Sequence, residues 1–535
     1  MAKATDKVIL TNSKALKNKY GASGLNAIRA SLTALVVADK ARGLQTQVVL
    51  LDDPVGMKKL SAPAVKLKSD PRQNKKAIDA VYKSLAPDYL MILGSYDVVP
   101  HQDLKNPLYT GPQGDDPDEF AYGDLPYACE APYSQEASDF VGPTRVLSRL
   151  PDITGGGDPA YLIGLLETAA GYKPFNRESL MKPFAVTAQI WKASTKLSVT
   201  NAFENANGLQ NVPPKNYKWK SAQLSRLAHF FNCHGADQAS QFYGQPSNGA
   251  SDYPPAMDAK YVAGKISEGV IVAAECCYGG QLYPTTQLVK QIGICNTYLA
   301  NKCYGFFAST TIAYGTEQGN GQADYLCQFF MKEVASGASV GRAALQARQQ
   351  FVKVVSPPDP SDIKTLAQFN LYGDPSVTPV LTTQATTSKV ALSKDIVAKS
   401  VSKFKAKSVE RKDRRRGLYT LGVHIAQTEM VPRRTTRKAP PGVVRSMGEQ
   451  ARALGWERGE LLSFSLRAPS KSKTRLPKTL TSASELPTAY HVLFKRRSDD
   501  EQHLAEGGAK IFEIAALVAK EVNGEITSVS EIRSR

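Results

Sequence analysis

The amino-acid sequence predicts an α/β protein: two α/β units in series, each a parallel-rich sheet covered by helices, then a basic linker and a small C-terminal module that is β-rich or α+β. Three observations carry that prediction. Short apolar runs ending in turn residues alternate with segments of helical spacing, the pattern of strands joined by crossover helices. The chain has 535 residues, too many for one core when a domain holds about 100 to 200. Its net charge of +18 sits at one end, because residues 386–535 hold 30 Lys and Arg against 16 Asp and Glu.

The first unit, 1–175, contains strand-like KVILTN (7–12), QVVLLDD (47–53) and DYLMILGS (88–95), with helical spacing over 26–41 and 71–85. A Pro/Gly/Asp-rich loop (106–133) leads to VGPTRVLSRLPD and a helix over 159–172. The second unit, 176–382, has strands at 183–192, 226–233, 269–276 and 304–310, and helices near 285–301, 320–335 and 338–354. Residues 383–485 carry RKDRRR (411–416), PRRTTRK (432–438) and SKSKTR, and so read as a flexible linker. Order is expected again in 486–535, where Asn523-Gly524 between two β-like runs signals a two-residue hairpin.

Composition excludes several classes. No apolar run approaches the roughly 18 residues of a membrane span, and the amino terminus lacks the apolar core of a signal peptide, which predicts a cytoplasmic address. The seven cysteines (129, 233, 276, 277, 295, 303, 327) lack paired CxxC spacing, so reduced thiols are expected rather than disulfides or zinc. Neither a metal nor a cofactor is implied.

Two strand ends concentrate reactive residues: AHFFNCHGADQAS (228–240) and GVIVAAECCYGG (269–280). In a parallel sheet the carboxyl ends of neighbouring strands converge on the ligand crevice. His234 and Cys277 would then meet as proton partner and nucleophile, the minimum for cysteine catalysis. Gly235 lets the backbone approach a substrate, and the N–H groups of Gly235 and Cys277 are candidates for an oxyanion hole. Taken alone, Cys233 and His234 also suit a packed core edge, and Glu275 either braces the loop, orients His234 or is merely solvated.

FFNCHG, followed 43 positions after its His by the second Cys of VAAECCYGG, resembles the caspase-like (clan CD) cysteine peptidases. Within that clan the chain is most similar to the gingipain peptidases: DYLMILGSYDVVP, DEFAYGDL, VGPTRVLSRLPD, FFASTTIAYG and FNLYGDPSVTP match short segments in family order over roughly 85–382. The resemblance implies two caspase-like subdomains, Cys277 as nucleophile, His234 as general acid/base, and packing roles for Cys276 and Cys233. It also implies cleavage of protein or peptide substrates after Arg or Lys. The chain departs from the pattern where Lys192 and Lys196 stand in a loop expected to be acidic, which leaves an acidic P1 residue open. Asp97, Glu317 and Asp324 are the alternative pocket candidates. His101 could line the cleft, and His229 reads as core.

The basic tail raises a rival reading, a nucleic-acid-binding protein, although few aromatics are interleaved with its charges, so that binding is expected to be weak and non-specific. An inactive caspase-like scaffold is a third. By family analogy the peptidase reading suggests regulated, limited proteolysis in signalling or defence, with the C-terminal region a place for an activating protein partner and the basic clusters as self-cleavage sites.

Overall fold

The computed structural model describes residues 5–286, 291–381, 395–469, 487–496, 503–505 and 508–535. Strands β1 (Lys7–Thr11), β2 (Thr46–Leu50), β3 (Tyr89–Leu93), β4 (Leu147–Leu150), β5 (Phe184–Ala188), β6 (Gln210–Val212), β7 (Ala228–Asn232), β8 (Ile271–Ala274) and β9 (Gly305–Ser309) precede the short β10 (Tyr314–Gly315) and β11 (Phe369–Tyr372). All but β10 join one ten-stranded sheet, in the order β2-β1-β3-β4-β11-β9-β8-β7-β5-β6. Every pairing in it is parallel except β9 with β11. The two α/β units therefore share a single sheet, meeting at one antiparallel seam. β11, late in the second unit's sequence, runs with the first unit's strands.

Burial explains the strand sequences. Val8-Ile9-Leu10 and Leu90-Met91-Ile92-Leu93 are buried on both faces, as continuous apolar runs in a helix-covered parallel sheet must be. The helix Ser13–Ala41 passes by length and mean hydropathy for a bilayer span, yet Leu16, Leu25, Ile28, Leu32 and Leu35 lie buried in the core. Pro71–Leu85 starts with Pro in its first turn and Asp70 capping Gln73 N–H, and it buries Ala77, Ile78 and Val81. Between 285 and 301, the described helix is Ile294–Ala300; residues 287–290 lie outside the described set.

Buried ion pairs explain why several family-like segments carry charge. Lys7 Nζ bonds Asp39 (3.0 Å) and Asp374 of the YGDPS turn, tying β1 to its covering helix and to the end of β11. Burial alone would raise the Asp374 carboxyl, but Lys7 holds it below its usual range. Arg149 grips Asp124 with two nitrogens at 2.8 and 2.6 Å, and His101 Nδ1 lies 3.0 Å from the same carboxylate, in the structural interior rather than in a cleft.

The expected flexible linker is folded through most of its length. Residues Asp395–Thr428 form a helix, and β12 (Val431–Arg434), the helix Pro441–Ala453 and β13 (Arg458–Arg467) follow. Acidic partners on the first unit explain the order. Arg411 lies 3.8 Å from Asp6 and 3.7 Å from Asp88, and Arg415 lies 3.7 Å from Asp88. Arg433 pairs with Glu136 (3.0 Å) and Asp139. The SKSKTR run and residues 383–394 lie outside the described set. β12 and β13 continue into β14 (Ala489–Lys495), β15 (Ala515–Val522) and β16 (Glu525–Ser534), an antiparallel sheet whose last strand pairs with β10. Asn523-Gly524 turns the β15–β16 hairpin, both at positive φ (52° and 93°).

Candidate active site

β7 and β8 are adjacent and parallel, with Phe231 opposite Ala274, so the residues after each strand emerge side by side. His234 and Gly235 follow β7, and Cys277 follows β8. A Cβ on Gly235 would sit 1.8 Å from the Cys277 carbonyl oxygen, so the two backbones touch and only glycine fits. Cys276 and Cys277 face different sides: Cys276 packs in the core with Phe231 and Cys233, Cys277 in the one with Phe307 and Ile312.

The turn that presents Cys277 is strained and braced. Tyr278 has φ 55°, a left-handed conformation that a bulky side chain adopts only when its surroundings impose it. Its N–H donates to Thr311 O (3.0 Å) and its hydroxyl to Asp118 (2.8 Å), while Asp118 also accepts from Ile312 N–H (2.8 Å). One carboxylate thus couples the Cys277 turn to the segment after β9. The Cys277 sulfur in turn accepts from Ala313 N–H at 3.3 Å.

His234 is held at one end. Its Nε2 lies 2.8 Å from Gln245 Oε1, Trp191 packs against the ring at 4.4 Å between centroids, and Nδ1 has no hydrogen-bond partner among the described residues. Gln245 donates its amide to Glu513 of the C-terminal module, which directs its oxygen at His234. The imidazole is then an Nε2–H tautomer with the Nδ1 lone pair free. Burial pushes the His234 pKa down to about 4 and that of the Cys277 thiol up to about 12, so both are neutral as the molecule stands.

Next to this pair lies an arginine pocket, and it is filled. Arg535 is fully buried; its Nη2 lies 3.1 Å from both oxygens of Asp324 and 2.7 Å from Thr316 O, and its guanidinium stacks 4.6 Å from the Trp191 ring. Arg535 N–H donates to Ala313 O (2.9 Å), and Cys277 N–H donates to Arg535 O (3.4 Å). Asp324 is steadied by Gly321 N–H (3.2 Å) and the Asn232 amide (3.4 Å). Glu275, expected to brace or orient or be solvated, is fully buried near Asp324; burial and then the Asp324 charge hold its pKa well above the carboxylate range.

Of the other pocket candidates, Glu317 sits at the rim, 3.6 Å from Arg533. Asp97 is engaged elsewhere, by Lys19 (2.7 Å) and Gly155 N–H (2.9 Å). Lys192 and Lys196 are exposed on their helix. The roles of Trp191, Asp118, Ala313, Gln245, Glu513 and Arg535 carry no local signal in the sequence, because each acts through residues distant in the chain. Of these, Asp118 and Ala313 lie inside segments that the family resemblance marks, DEFAYGDL and FFASTTIAYG.

No family model matches the chain, and no curated protein matches it. Among solved structures, it is similar to one described as "Structure of Protease", at 11% identity and TM-score 0.45, covering 100% of this chain and 98% of that one. It is also similar to the complex of Porphyromonas gingivalis RgpB pro- and mature domains, at 9% identity and TM-score 0.43, covering 98% and 99%.

Proposed function

We propose that the chain is a cysteine endopeptidase that cleaves after arginine, with Cys277 as nucleophile, His234 as general acid/base and Asp324 at the base of the P1 pocket. The observation that carries this reading is the placement of Arg535: side chain on Asp324 and Trp191, peptide N–H on Ala313 O, carbonyl oxygen on the N–H of Cys277. A substrate acyl group placed the same way has its scissile carbonyl polarised beside the thiol.

In the reaction, His234 Nδ1 takes the thiol proton and sulfur bonds to the carbonyl carbon. Cys277 N–H and Gly235 N–H steady the oxyanion. The C–N bond then breaks, the His234 proton leaves with the amine, and water hydrolyses the thioester to release the acid and regenerate the thiol. A second reading, an inactive scaffold, has one observation in its favour: thiol and imidazole are both neutral and unbonded to each other in the closed arrangement.

A peptide-library cleavage profile separates them. Hydrolysis after Arg by the purified chain, lost in Cys277→Ala, supports the peptidase. Cleavage confined to Asp or Glu at P1 overturns the arginine pocket, and cleavage that survives in Cys277→Ala overturns the nucleophile.

A further inference from the structure

The C-terminal module meets the rest of the molecule in two different ways. Its broad apolar face is fused to the main core: Phe464, Val492, Phe494 and Val518 pack in one cluster with Ile312, Phe330 and Leu366. Tyr490 adds a hydroxyl bond to Pro357 O (2.6 Å). Burial of several large side chains at about 1.5 to 3 kcal/mol each makes that contact permanent. The tip of β16 is held chiefly by polar contacts: of residues 531–535 Ile532 alone joins that cluster, and Ser534 donates its N–H to Ile514 O (2.9 Å), accepts from Ile514 N–H (2.8 Å) and donates its hydroxyl to Phe512 O. Residues 525 to 533 pair with β15 across one register shift that skips Thr527, and two residue pairs, Tyr314 with Ser534 and Gly315 with Arg533, join the strand to β10. Beyond them stands Arg535, whose backbone and side chain together make every contact described above for an arginine beside Cys277.

The same module reaches the imidazole. Glu513 accepts from both the Gln245 amide and the Tyr253 hydroxyl, and Gln245 holds His234. Between the module and His234 remains a cavity of about 70 Å³, lined by His234, Trp191, Gln245, Trp456, Glu513 and Arg533, water-sized rather than peptide-sized. No substrate chain can enter while the tip is in place, since β10 is already paired and the pocket already contains a guanidinium.

We infer that β10 and the Asp324–Trp191 pocket form one docking site for an extended, arginine-bearing strand, and that the tip Glu531–Arg535 is its intramolecular occupant, competing with substrate. The inference rests on the peptidase reading for the word substrate, but the occupancy itself can be read without turnover. The large apolar face keeps the module attached while the short tip exchanges, so the site opens by local release rather than by loss of the module. Chemistry sets what displaces the tip: a strand with Arg placed to meet Asp324 and with free N–H and C=O groups to pair with Tyr314–Gly315.

The test uses the full chain and two variants. Arg535→Ala empties the pocket, and Arg535→Lys keeps a cation facing Asp324 should the first fail to fold. With a fluorogenic peptide bearing Arg at P1, kcat/KM should rise about tenfold or more in Arg535→Ala and by less in Arg535→Lys, because the open fraction of the site limits the wild type. The synthetic peptide SVSEIRSR (residues 528–535) should inhibit the variant, and the same peptide ending in Ala should not. Iodoacetamide labelling of Cys277, read by peptide mass spectrometry, should accelerate in parallel and slow again with SVSEIRSR. Equal kcat/KM and equal labelling in wild type and both variants overturn the inference while leaving the peptidase standing. Labelling that responds to Arg535 and to the peptide, with no hydrolysis by any form, supports the docking site and removes the peptidase reading. Silence in both assays removes both.

Discussion

Arg535 Nη2 is equidistant, at 3.1 Å, from the two carboxylate oxygens of Asp324, and neither side chain is exposed. A buried pair of this kind is costly to break one-sidedly, about 3 to 5 kcal/mol, because the surviving charge stays in the interior. Asp324→Asn should therefore loosen the tip, seen as faster amide exchange at Tyr314–Gly315 and 531–535 by mass spectrometry. Adding Arg535→Met should recover much of the protection. If exchange is unchanged in Asp324→Asn, the pair does not hold the strand.

Two glycines near the thiol should respond differently to alanine. At Gly235 the new Cβ meets the Cys277 carbonyl oxygen at 1.8 Å, a backbone atom that moves only with its turn, whereas at Gly279 the nearest atom is Cys276 O at 3.2 Å. Gly235→Ala is expected to cut kcat/KM by about a hundredfold or more by displacing Cys277, as ångström-scale misplacement does. Gly279→Ala should remain within a few-fold. Steady-state kinetics on both variants, with near-UV circular dichroism for folding, checks the contrast.

Three buried histidines should weaken the fold in acid. Burial lowers the pKa of His101, that of His229 to about 3 and that of His234 to about 4, against about 6.5 in the unfolded chain. Each contributes stability that is full above about pH 6.5 and is lost as pH falls toward its folded value, at up to about 1.4 kcal/mol per pH unit. Glu275, held protonated by burial, acts with the opposite sign, so the readout is a difference. Chemical denaturation of wild type and His229→Leu from pH 6.5 to 4 should show the variant losing less stability, by about one proton's slope. Parallel curves would contradict it.

The basic clusters should resist self-cleavage. Residues 411–416 lie in the helix Asp395–Thr428 with Arg411 and Arg415 turned to Asp88, and 432–434 lie in β12, whereas proteolysis needs an extended, accessible segment. Mass spectrometry of the incubated chain should find both clusters intact in wild type. Fragments ending at Arg414–Arg416, absent from Cys277→Ala, would show that the helix opens.

Much of the α/β core was legible in the residues themselves. Runs such as Val8-Ile9-Leu10 and the Asn523-Gly524 turn act through neighbours a few positions away, so periodicity and turn chemistry report them directly. His234 and Cys277 could be paired on paper because each ends an apolar run, and parallel neighbours bring such ends together. Tertiary structure alone decided the rest, and the reason is distance along the chain. Whether a basic run is a free tether or a docked helix depends on where its counter-charges lie, and those of Arg411 and Arg415 lie more than 300 residues away, at Asp6 and Asp88. Among Asp97, Glu317, Asp324, Lys192 and Lys196, the proposed pocket rests on Asp324 because that side chain shares a buried site with a guanidinium, and the guanidinium comes from Arg535, 211 positions beyond Asp324. Local pattern records the cost of exposing an apolar side chain; it carries no trace of which distant charge removes the cost of burying a polar one.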